Sequence, residues 1–109
     1  MGLVNTLAED TAKNFAGPNA ALDPATLQAF IELILQVIQA IKNCRATPPD
    51  AAIMVSRPTM WQKMVVRQTV RRNMSFREYR DSGEQVVDAL LKTGKTVSQS
   101  EIEQLLLET

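Results

Sequence analysis

The chain has 109 residues, 45% apolar and 22% charged, with aromatic residues at only 5%. That length allows one small domain with a modest core, packed mainly by Leu, Ile, Val, Met and Ala. It has a single cysteine, Cys44, and no histidine, which excludes an intrachain disulfide, a Cys/His zinc site and a histidine-based triad.

The formal net charge of zero conceals an asymmetry. Residues 57–80 hold seven basic side chains (Arg57, Lys63, Arg67, Arg71, Arg72, Arg77, Arg80) and one acid, Glu78, giving +6. Residues 1–56 sum to −2 and residues 81–109 to −4. A basic block between acidic flanks can meet an anionic surface or the acidic parts of a neighbouring subunit.

Residues 1–23 carry weak signals and read as an extended N-terminal arm and linker. Leu3, Val4, Leu7 and Ala8 suggest a short amphipathic turn, and the run AGPNAA at 16–21 suggests a flexible connection. The opening residues fit the loose N-myristoylation pattern, with Gly2 and Thr6, but no basic cluster nearby supplies a second membrane signal. The basic n-region and apolar run of a secretory signal are lacking. The expected setting is therefore intracellular, cytoplasmic or within an assembled particle.

The next segment, 24–45, predicts a long helix. Asp23 suits the N-cap and Pro24 the first helical position, while Lys42 and Arg45 suit the C-terminal end of the dipole. Leu27, Ile31, Ile34, Ile38 and Ile41 make one heptad-like seam, and Phe30, Leu33, Val37, Ala40 and Cys44 make a second beside it. Only Gln28, Glu32, Gln36, Gln39 and Asn43 are left for water. A helix apolar over most of its circumference must be buried on most sides. In so short a chain this points to an oligomer interface formed by Leu27, Phe30, Ile31, Leu33, Ile34, Val37, Ile38 and Ile41. A membrane span here is disfavoured by Glu32 and three glutamines. Cys44 reads as a small buried residue on the seam.

Thr47-Pro48-Pro49 forces an extended connection, and 50–56 fits a short helical turn or a link. A second helix is expected from Pro58 to Asn73. Its apolar residues Trp61, Val65, Met60, Met64, Val66 and Val70 do not sort onto one face. Lys63, Arg67 and Arg71 form an i, i+4, i+8 row beside the methionines. A third helix, 76–93, opens with a capping box at Ser75 and Glu78. It either carries Gly83 inside or breaks there, and Gly94 closes it as a C-terminal cap. A fourth, 99–108, opens with Ser98 and Glu101 as a second capping box, with Val97 and Ile102 placed for a hydrophobic staple. The last two helices are expected to form a hairpin around Val86, Leu90, Ile102 and Leu105. Their link is longer than the tight turn of a DNA-reading helix–turn–helix, and the last helix is acidic.

No strand pattern, internal repeat, phosphate-binding glycine loop or nucleophile motif is present. Asp81, Glu84 and Asp88 share one side of the third helix and read as a solvated face. The expectation is an all-α bundle of about four helices over 24–109, completed by oligomerisation. Its expected function is non-enzymatic: a structural or assembly protein packing with itself or with other subunits, for which a minor component of a virus or phage particle is one setting. No cofactor, metal or small-molecule substrate is implied. The alternative is a small nucleic-acid-associated regulator using 57–80, since cations on one helix can neutralise a phosphate backbone.

Overall fold

The computed structural model describes residues 2–19, 21, 23–45 and 63–108, leaving aside the side chains of Cys44, Arg45 and Gln99. The expectations for Arg57, Trp61, residues 50–56, the helix start at Pro58 and the burial of Cys44 lie outside the described residues. The described chain is an all-α helical bundle of five helices, with no strand among the described residues.

Helix α1 spans Gly2–Ala16, α2 Pro24–Arg45, α3 Lys63–Asn73 and α5 Gln99–Glu108. Helix α4 covers 76–95 as an α-helical start Phe76–Glu78, a π-helical turn Tyr79–Gly83 and a longer α-helical part Glu84–Lys95. Helix α1 packs on α2 and α4, and α3 packs on the same two helices. The four therefore close a ring in which α1 and α3 are opposite one another. Helix α5 leans on α2 from outside that ring.

The N-terminal segment corrects the sequence reading, because α1 is a helix and not an extended arm. Val4, Leu7, Ala8, Thr11 and Ala12 are all buried. Their spacing, i, i+3, i+4, i+7, i+8, is the apolar stripe of a core helix. Gly17 ends α1 with φ at 101°, a left-handed turn that a side chain resists. Its N–H donates to the Lys13 carbonyl at 2.8 Å.

This helix also settles what covers α2. Phe30, Leu33, Ile34, Val37, Ile38 and Ile41 are buried inside the single chain, with Ile34 and Val37 at 0% exposure. Phe15 of α1 meets Phe30 edge-on, with ring centroids 5.8 Å apart. The double seam is apolar because α1, α3 and α5 all pack on α2. By length and composition α2 could cross a membrane, yet its inward positions form the core of this bundle.

Between α1 and α4 lies a small polar seam. Thr11 Oγ1 and Thr93 Oγ1 are 2.7 Å apart and fully buried. One hydroxyl donates to the other, and the other donates to the carbonyl one turn back on its own helix: the Leu7 oxygen lies 2.8 Å from Thr11 Oγ1 and the Ala89 oxygen 3.1 Å from Thr93 Oγ1. Asn14 Nδ2 donates to Thr93 Oγ1 at 3.1 Å. Each buried hydroxyl is therefore satisfied, as burial requires.

Both capping boxes form. Glu78 N–H donates to Ser75 Oγ at 3.2 Å, and Ser75 N–H to Glu78 Oε1 at 3.2 Å. At α5, Glu101 N–H donates to Ser98 Oγ at 3.2 Å and Ser98 N–H to Glu101 Oε1 at 3.0 Å. Val97 is half-buried and Ile102 buried, on the core side of this cap. Two expectations differ from what is observed. Helix α4 ends at Thr96 in right-handed backbone, with Thr96 N–H bonded to the Thr93 and Gly94 carbonyls, so Gly94 is not a left-handed cap. The last two helices are not chiefly a hairpin. Ile102 and Leu105 join the common core, and the main helix neighbour of α5 is α2.

Candidate interaction surface

The basic residues of the sequence cluster on α3 and the start of α4. Helix α3 turns Val65, Val66, Thr69 and Val70 inward. That leaves Lys63, Met64, Arg67, Gln68 and Arg71 lining one open groove of about 440 Å³. The i, i+4, i+8 row read from the sequence is thus one face. The helix has no acid of its own.

Within the row the three cations differ. Arg67 is committed: its Nη2 lies 3.0 Å from Glu84 Oε1 and 3.1 Å from Glu84 Oε2. The hydrogen bond that Arg67 donates to Glu84 raises its pKa above the ordinary value. Its Nε is buried without a hydrogen-bond partner among the described residues. Arg71 sits over the Tyr79 ring, 5.1 Å from the centroid, a contact that orients a cation without neutralising it. Lys63 is exposed at the N-terminal end of the row.

The π-helical turn builds the seat for Tyr79. Gly83 has helical backbone, φ −56° and ψ −47°, and is buried under the Tyr79 ring. The extra residue per turn carries the helix past Gly83 without a break. Single π-helical turns inside α-helices are frequent at functional sites. Here the turn carries Tyr79, the ring beneath Arg71.

Arg72 and Arg77 are exposed. Among the described residues no carboxylate pairs with Lys63, Arg71, Arg72 or Arg77. Arg80 pairs at 3.2 Å with its neighbour Asp81, and both side chains are 62% exposed, so water screens the pair. Gln36 of α2 and Asn73 exchange two hydrogen bonds of 2.7 Å, which fix the end of α3 against the bundle.

The residues expected at an oligomer interface are placed differently from that expectation. Phe30, Leu33, Ile34, Val37, Ile38 and Ile41 are core residues of one chain and cannot also face a partner. Leu27 and Ile31 are half-buried and pack against the same core. Helix α1, expected from the sequence to be an extended arm, is an additional helix covering α2. Of the acids on α4, Glu84 serves Arg67 and Asp81 serves Arg80, and Asp88 is exposed. Sequence reasoning missed the Arg71–Tyr79 contact. Its only signal was an aromatic residue four positions before a glycine.

Chemically, guanidinium and ammonium groups on this face can bind an anion and supply no nucleophile or general base at neutral pH. Among the described residues no three His, Cys, Asp or Glu side chains group closely enough to hold a metal ion. Among the described residues the fold is a small all-α bundle, with Lys63, Arg71, Arg72 and Arg77 exposed on α3 and the start of α4. In comparisons with family models, with curated proteins and with solved structures, nothing matches this chain.

Proposed function

We propose that this chain is a non-enzymatic assembly protein that docks onto an acidic protein surface through α3 and the start of α4. One observation carries the reading: Lys63, Arg71, Arg72 and Arg77 have no carboxylate partner among the described residues. Met64 and Phe76 are also exposed beside them, at 61% and 85%. Cations around exposed apolar side chains resemble the polar rim and apolar centre of a protein interface. The zero net charge and sequence pI near 6.2 favour a protein partner over a nucleic acid. Assembly within a homo- or hetero-oligomer, as in a virus or phage particle, fits this reading. It no longer calls on the seams of α2.

The test replaces Lys63, Arg71 and Arg72 by Gln together, leaving Arg67 and its ion pair untouched. Light scattering of the wild type at low salt is expected to show complexes, either of the protein with itself or with co-purified subunits. The triple variant is expected to lose them while keeping its melting temperature. If the intact protein instead binds DNA or RNA, and log K falls linearly with log salt with a slope that the triple variant flattens, the nucleic-acid regulator replaces this reading.

A further inference from the structure

The open groove on α3 has the form that receives another helix. Lys63, Arg67 and Arg71 make one row at i, i+4, i+8, and Met64 and Gln68 belong to the next row, so the groove runs between two helical ridges. Val65, Val66, Thr69 and Val70 are buried on the other side of the helix. Charge along the groove is uneven. Arg67, in the middle, is already held by Glu84 at 3.0 Å. Lys63 and Arg71, at the two ends, have no carboxylate partner among the described residues. Met64 is exposed beside them. The groove thus offers a free cation, a centre with an apolar side chain and an amide, and a second free cation, over about 12 Å at ~1.5 Å per residue.

We propose that this groove receives a helix of the partner protein whose ridge reads acid, apolar, acid at positions i−4, i and i+4. The inference rests on the assembly reading above and gives the form of its partner. Interlocking of such ridges is the commonest way for two helices to meet in globular proteins. Lengths agree, since i−4 to i+4 is again about 12 Å at ~1.5 Å per residue. The central apolar side chain lies against Met64 and the stem of Arg67, and the outer carboxylates meet Lys63 and Arg71. Arg71 is held over the Tyr79 ring and keeps its charge, so its planar fork can take a carboxylate through two parallel N–H bonds. A nucleic-acid backbone would use the cations and leave Met64 without a role. An extended acidic peptide can match the spacing of the charges, but it has no ridge to fill the groove.

Synthetic peptides titrated against the full chain test this. Each is an Ala-based helix of about 20 residues, stapled on one face because short helices are marginal alone. The first carries Glu, Leu and Glu at i−4, i and i+4 on the free face. The second has the same composition with both Glu residues moved off that face. The third is the first with a central Pro and no staple, so it is acidic but extended. Fluorescence anisotropy at low salt is expected to show binding of the first, weakened roughly tenfold or more in the second and third. Lys63→Gln with Arg71→Gln should weaken the first peptide by a similar factor, and Met64→Gln should weaken it at high salt too, where the charges are screened. Melting temperatures check that these variants fold. Equal binding of all three peptides overturns the proposal, because charge alone would then suffice. So does no binding of the first. If either occurs while the triple Gln variant still loses its complexes in light scattering, the helix partner fails and the assembly reading stands.

Discussion

Gly83 lies against the Tyr79 ring, so close that a Cβ built on it would overlap Tyr79 Cδ2. The backbone at Gly83 is ordinary helix, so Ala would gain about 1 kcal/mol of helix propensity. The overlap with the stem of the ring outweighs that gain. Gly83→Ala is expected to destabilise the bundle by about 1–3 kcal/mol, the range for overpacking. In a Tyr79→Ala background the same change should become neutral or stabilising. Denaturant melts of the two singles and the double give the coupling.

The core placement of Ile34 sets a second expectation. Ile34 is completely buried within one chain, so Ile34→Asp should abolish cooperative unfolding, at a cost above about 4 kcal/mol. Circular dichroism reads the outcome. A folded variant that had merely dissociated into monomers would mean that Ile34 faces a partner.

The threonine pair between α1 and α4 predicts non-additivity. Thr93→Val leaves Thr11 Oγ1 and Asn14 Nδ2 each short of one partner. About 1–3 kcal/mol is expected for that change. Adding Thr11→Val removes one of the stranded groups, so the double variant should cost less than the sum of the singles. Urea unfolding of the four proteins measures the difference.

The cap of α5 gives a pH dependence. The Ser98 N–H, then the Ser98 hydroxyl, holds the Glu101 carboxyl below its ordinary value of 4.5. A lowered folded pKa contributes stability that is present above 4.5 and lost as pH falls through the folded value. Acidification below that point should therefore loosen α5 before the ring, and Glu101→Gln should remove this component. Amide hydrogen exchange of 99–108 across the range follows it. Ser98→Ala should cost about 1 kcal/mol at neutral pH, a drop of roughly 4–8 °C in melting temperature.

The local chemistry of the chain was legible in its residues. Asp23-Pro24 starts α2, Ser75 and Glu78 start α4, and Ser98 and Glu101 start α5, because a cap needs only neighbours within a turn. The basic row Lys63, Arg67, Arg71 was legible for the same reason: 3.6 residues per turn put them on one face. The apolar excess of α2 was equally plain.

What covers α2 was not written in α2. Val4, Leu7, Ala8 and Ala12 formed a core stripe in plain view. Read locally, Leu3, Val4, Leu7 and Ala8 suggested only a short amphipathic turn, because Thr11 interrupts the apolar positions. Tertiary structure decided the matter by giving Thr11 a hydroxyl partner in Thr93, 82 residues away, which no local pattern can encode. The same holds for Tyr79, Arg71 and Gly83, where one extra residue in a helical turn selects which face the ring takes. Periodicity and caps are set within a turn of helix by the sequence itself. Which apolar face meets which, and which cation is left without a carboxylate, depend on groups that only folding brings within contact distance.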